Sequence, residues 1–75
     1  MQPSREGKAA ARVREAVAGL PPYLREVTLL REYENMTYAE IATVLGCSEG
    51  TVKSRLARAR TALREQLLPL KEDLR

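Results

Sequence analysis

Met36-Thr37-Tyr38-Ala39-Glu40-Ile41-Ala42-Thr43-Val44-Leu45-Gly46-Cys47-Ser48-Glu49-Gly50-Thr51-Val52-Lys53-Ser54-Arg55-Leu56 decides the architecture of this chain. Thr37 with Glu40 three residues on is a capping box, in which each side chain satisfies a free backbone N–H of the other residue at a helix start. Met36 and Ile41 occupy the two positions of a hydrophobic staple. Tyr38, Ile41, Ala42 and Leu45 then fall at i, i+3, i+4 and i+7, the apolar stripe of a short helix, and Gly46 supplies the left-handed residue that stops it. Ser48 is an N-cap for a further helix, on which Val52, Leu56, Ala59 and Leu63 form one stripe when each residue advances about 100° around the axis. Joined through Gly46-Cys47-Ser48, the pair predicts a helix-turn-helix, its second helix spanning about 48–67 and ending before Pro69.

Working upstream, Pro21-Pro22 opens another helix, where a missing N–H is tolerated in the first turn. It runs to about Tyr33, with Leu20, Tyr23, Leu24, Val27 and Leu30 on one face, and Glu34-Asn35 ends it. An Ala- and Arg-rich helix from Lys8 to Ala18 precedes it and closes at Gly19. The expected fold is therefore all-α: a small four-helix domain over 8–67, a flexible N-terminus at 1–7, and a C-terminal extension at 68–75. That extension either frays or adds one packed turn through Leu70 and Leu74. No strand signal competes, and no repeat or low-complexity tract is present.

A chain of 75 residues fits one domain, and at this size roughly 60% of the unfolded chain's surface is buried, so a deep catalytic cleft is not expected. The single Cys47 forms no internal disulfide and the chain has no histidine, which leaves no zinc constellation and no cofactor expected, and points to a reducing cytoplasm. No stretch of about 20 apolar residues spans a bilayer, and Met1-Gln2-Pro3-Ser4-Arg5 is followed by no apolar signal core. Three Tyr with no Phe and no Trp predict an aliphatic helical core.

The net charge of +3 is unevenly spread: residues 48–64 carry five basic side chains against the single acidic Glu49. A focused patch of this kind attracts a polyanion through counterion release. Counting around the helix from Val52, the face away from the core holds Gly50, Ser54, Ala57, Arg58 and Thr61, with Lys53 and Arg64 on one shoulder and Thr51 on the other. In a helix-turn-helix the second helix enters the major groove with its N-terminal part at the base edges. Lys53, Ser54 and Arg58 are the candidates for base reading, Arg58 foremost because a guanidinium bonds bidentately to guanine. Thr51, Arg55, Arg60 and Arg64 are candidates for phosphate, and Gly50 for close backbone approach.

Blander roles stand beside these. A basic helix face standing alone is usually a solvated face, and Arg55 and Arg60 lie close enough to the core stripe to pair instead with Glu26, Glu32 or Glu40. Cys47 reads as a small buried hydrophobe in the turn rather than a reactive thiol, and Tyr23, Tyr33 and Tyr38 as core or core-edge residues rather than stacking platforms.

Leu20-Pro21-Pro22, Leu24-Arg25-Glu26-Val27 and Leu29-Leu30-Arg31-Glu32 resemble the second helix of region 4, the C-terminal domain of extracytoplasmic-function sigma factors of bacterial RNA polymerase. Met36-Thr37-Tyr38-Ala39-Glu40-Ile41-Ala42 and Gly46-Cys47-Ser48-Glu49-Gly50-Thr51-Val52-Lys53-Ser54-Arg55-Leu56, continued by Arg58-Ala59-Arg60, resemble the same family's helix-turn-helix. The ordered set covers Leu20 to Leu67. The resemblance implies recognition of the promoter minus-35 element in double-stranded DNA during transcription initiation by the helix carrying Lys53, Ser54 and Arg58. It also implies docking on the flap of the RNA polymerase β subunit and occlusion by an anti-sigma factor. Ala57 stands where the family often has a larger residue, which removes one base contact.

The family's other domain, which melts the minus-10 element, is not within these 75 residues; a polar start before a well-formed helix favours an excised domain over a natural short protein. A monomer is expected. Two other classes compete with promoter reading. A stand-alone helix-turn-helix regulator would dimerise on a pseudo-palindromic site, and a protein-interaction module would bind polymerase or an anti-sigma factor through its apolar surface. An enzyme is the least favoured class, for want of histidine, a glycine-rich phosphate loop and a carboxylate pair that spacing forces together.

Overall fold

The computed structural model describes the backbone of residues 7–73 and the side chains of residues 7–67; the expectations for residues 1–6, Leu70 and Leu74 lie outside them. Four helices are formed: α1 Lys8–Ala18, α2 Pro22–Thr28 continued by a π-helical turn Leu29–Tyr33, α3 Tyr38–Leu45, and α4 Glu49–Asp73. The longest, α4, packs against each of the other three.

Local chemistry sets the boundaries. Gly19 closes α1 in the right-handed conformation (φ −84°), its N–H donating to the Glu15 carbonyl at 3.0 Å, so this end needs no left-handed residue. Pro22 stands at the first turn of α2, and Arg25 ties the α1–α2 corner by donating to the Ala18 and Leu20 carbonyls at 3.0 and 3.3 Å. The capping box of α3 is formed in both directions: Glu40 N–H donates to Thr37 Oγ1 at 3.1 Å and Thr37 N–H to Glu40 Oε1 at 2.8 Å. Gly46 takes φ +70° and ends α3, where a side chain would meet its own carbonyl.

The π-helical turn was not legible in the sequence. Glu34 N–H reaches back to the Leu29 carbonyl and Met36 N–H to the Leu30 carbonyl, each at 3.1 Å, and Asn35 reverses the chain at φ +57°. Asn is among the few residues that tolerate this region. Arg31 secures the reversal by donating to the Met36 carbonyl at 2.8 Å and lying over the Tyr38 ring, 5.2 Å from its centroid.

Val27, Ile41, Ala42, Val52 and Leu56 form one buried cluster, with Leu30, Met36, Tyr38, Leu45 and Cys47 packed against it. Leu20, Leu24 and Ala59 form a second, flanked by Ala62 and Leu63. The staple pair Met36 and Ile41 thus belongs to one cluster, and Ala42 is the small residue at the α3–α4 approach. The buried Thr28 hydroxyl donates to the Leu24 carbonyl at 2.8 Å, and no buried side-chain N or O among the described residues lacks a partner.

Two expectations are corrected. The last helix does not end before Pro69: its backbone stays helical to Asp73. Proline deprives the carbonyl four residues back, that of Glu65, of its donor, and Glu65 is exposed, where water can satisfy it. Tyr23 and Tyr33 are exposed rather than core residues, at 41% and 56%; only Tyr38 sits at the core edge. Tyr33 is the last residue of the π-helical turn, whose wider turn departs from the 3.6-residue register of the α-helix before it.

Candidate nucleic-acid interface

The position of α4 follows from its inner stripe. Val52, Leu56 and Ala59 are buried to 0%, 2% and 1% exposure, so the rotation of the helix about its own axis is set by the core. With that rotation fixed, Gly50, Lys53, Ser54, Ala57, Arg58, Thr61 and Arg64 are exposed on the opposite side, and Thr51 and Arg55 are half-buried at its border. The start of the helix is equally defined: Ser48 Oγ accepts from Thr51 N–H and donates to Thr51 Oγ1, both at 3.0 Å.

A shallow groove of about 490 Å³ runs along this end of α4, lined by Tyr23, Ser48, Gly50, Thr51, Ser54, Arg55 and Arg58. Five of the expected contact residues are brought together there. Lys53, Ala57, Thr61 and Arg64 lie on the exposed helix surface outside the groove lining. A Cβ on Gly50 would touch only Ser48 Oγ at 3.7 Å, so nothing within the protein requires glycine there and the backbone stands open to a ligand.

The two arginines left open between DNA and internal pairing part company. Arg60 reaches Glu32 of the π-helical turn at 3.8 Å, both side chains being about half exposed, a solvated pair that competes weakly with an outside phosphate. Arg55 meets no carboxylate among the described residues; its guanidinium lies over the Tyr23 ring, 5.6 Å from the centroid. Tyr23 and Ser48 are the lining residues that reading the sequence did not assign to the site. Ser48 was legible as a cap, whereas nothing local marks Tyr23, which comes from another helix.

A basic helix surface, anchored by an apolar stripe and open along a groove without carboxylates, can receive the backbone and base edges of a nucleic acid. Among the described residues no cluster of three or more His, Cys, Asp or Glu could hold a metal, and no helix is long and apolar enough to cross a membrane.

Comparison with known proteins agrees with this geometry. The family described as Sigma-70, region 4 matches residues 10–63. The RNA polymerase sigma-H factor of Pseudomonas aeruginosa is 47% identical over 60 residues, covering 80% of this chain and 31% of the relative. The ECF RNA polymerase sigma-E factors of Salmonella typhimurium and Escherichia coli are each 43% identical over 54 residues, covering 72% of this chain and 28% of theirs. The chain thus spans about a third or less of the length of these curated relatives. The match embraces most of α1, all of α2 and α3 and α4 as far as Leu63, and with it the chain belongs to the sigma-70 region 4 family, as the region-4 domain of an extracytoplasmic-function sigma factor.

Proposed function

We propose that this domain reads the minus-35 element of promoter DNA during bacterial transcription initiation, as the non-catalytic DNA-reading part of a sigma factor in the cytoplasm. The observation that carries the reading is the exposed face of α4, whose rotation is locked by buried Val52, Leu56 and Ala59 in a chain of the region-4 family. On this reading α4 lies in the major groove, with Lys53, Ser54 and Arg58 at base edges and Thr51, Arg55, Arg60 and Arg64 at phosphates. Gly50 lets the backbone approach, and Ala57 and Thr61 face the groove without charge.

The whole sigma factor would bring the domain to its promoter by docking on the β-subunit flap of RNA polymerase, with an anti-sigma factor as the competing partner. An apolar recess of about 280 Å³ lined by Glu26, Leu29, Leu30 and Leu45, with no residue of α4 in its lining, supports a protein partner there. The isolated monomer binds DNA weakly on this reading, because one small module makes few phosphate contacts.

The test is a fluorescence titration of the chain against a short duplex with an AAC-type minus-35 core and against a scrambled duplex, at two salt concentrations. Preference for the specific duplex is expected, with Arg58→Ala weakening it about 5- to 150-fold, the range of one bidentate base contact, and removing most of the preference. Equal, salt-sensitive binding to both duplexes would reduce α4 to a basic surface and favour the protein-interaction module.

A further inference from the structure

We propose that Tyr23 is a positioning residue for DNA binding: its ring holds the Arg55 guanidinium at the rim of the groove, ready for a phosphate. The inference rests on the promoter-reading function above and names a residue on α2, outside the helix-turn-helix. Three observations carry it. The guanidinium lies over the ring face, 5.6 Å from its centroid. Tyr23 and Arg55 line the same groove as Ser54 and Arg58. Tyr23 belongs to neither buried cluster and is 41% exposed, so the ring is not retained there for the core.

The chemistry separates Arg55 from its neighbour. A ring face attracts the cation through its quadrupole and uses none of the five N–H donors, which lie in the guanidinium plane. A carboxylate takes both charge and donors, as Glu32 does in part for Arg60 at 3.8 Å. An arginine on an exposed helix surface otherwise samples many rotamers, and ordering it on binding is unfavourable. Held by Tyr23, Arg55 is restricted beforehand and keeps its donors for an anion. Because the ring comes from α2, the arrangement also couples the binding end of α4 to a helix outside the helix-turn-helix.

The experiment is a double-mutant cycle on the 75-residue chain, titrated with the specific and scrambled duplexes. Tyr23→Leu is expected to weaken binding to both duplexes about two- to five-fold, the size of an exposed cation–π pair, without altering the preference between them. Tyr23→Phe, which keeps the ring and removes the hydroxyl, is expected to restore the wild-type affinity. In an Arg55→Ala background Tyr23→Leu is expected to have no further effect. Helical circular dichroism and the melting temperature of each variant check that the exposed substitution leaves the fold intact. An unchanged affinity in Tyr23→Leu, an equal loss in Tyr23→Phe, or an effect that persists without Arg55 would each overturn the proposal. Failure of the wild-type chain to distinguish the duplexes would instead overturn the promoter-reading function, so the two are separable.

Discussion

Replacing Gly46 with alanine isolates the backbone chemistry of the turn between α3 and α4. Gly46 sits at φ +70°, and a Cβ built there meets nothing within 4 Å, so packing contributes nothing to the change. The left-handed conformation costs an L-residue about 1–2 kcal/mol, offset by about 0.4–1 kcal/mol from the lower entropy of the unfolded chain. A net destabilisation of about 1 kcal/mol is expected, which for a domain of this size lowers Tm by about 4–8 °C. Gly50→Ala provides the opposite case: it lies within α4, away from the positive-φ region, and its Cβ makes only an ordinary contact with Ser48 Oγ. That substitution is expected to raise Tm, by an amount corresponding to about 0.5–1 kcal/mol. Thermal melts followed at 222 nm, the helical band, measure both, with Gly46→Asn as a milder variant because Asn tolerates this region. An unchanged or higher Tm for Gly46→Ala, or the same sign for both alanine variants, would refute the reasoning.

Two further outcomes follow from the packing and charge of α4. Leu56→Ala removes a side chain that is 2% exposed and is expected to destabilise by about 2–5 kcal/mol, so urea titration should find a large share of the chain unfolded before denaturant is added. Glu32→Gln breaks the solvated pair with Arg60; Tm is expected to change little, while affinity for the scrambled duplex rises at low salt and the gain disappears at high salt.

Region 4 illustrates where local chemistry suffices and where it does not. The capping box at Thr37 and Glu40, the glycine stop at Gly46 and the Ser48 cap are interactions over three or four residues, so reading the chain locates them without knowledge of the fold. The buried stripe Val52, Leu56 and Ala59 is periodic for the same reason, and with it the outward position of Lys53, Ser54, Ala57, Arg58, Thr61 and Arg64. The family match covers that same continuous segment as far as Leu63. The π-helical turn at Leu29–Tyr33 had no such signature: it arises where α2 must reverse into α3, and Arg31 and Asn35 stabilise it through contacts made only once the chain has turned. The continuation of α4 through Pro69 is of the same kind, since a proline disfavours a helix locally without deciding what its neighbours will hold.

The fates of the arginines were decided by tertiary structure alone. Arg55 and Arg60 are five residues apart on one helix and alike in sequence terms, each near the core stripe with acidic side chains within conceivable reach. Folding brings the π-helical turn, with Glu32, beside Arg60, and the start of α2, with Tyr23, beside Arg55. One cation therefore meets a carboxylate and the other an aromatic face. Helical periodicity determines which side of its own helix a residue occupies, but the partner it finds there is supplied by another segment, and that pairing is settled only when the helices pack.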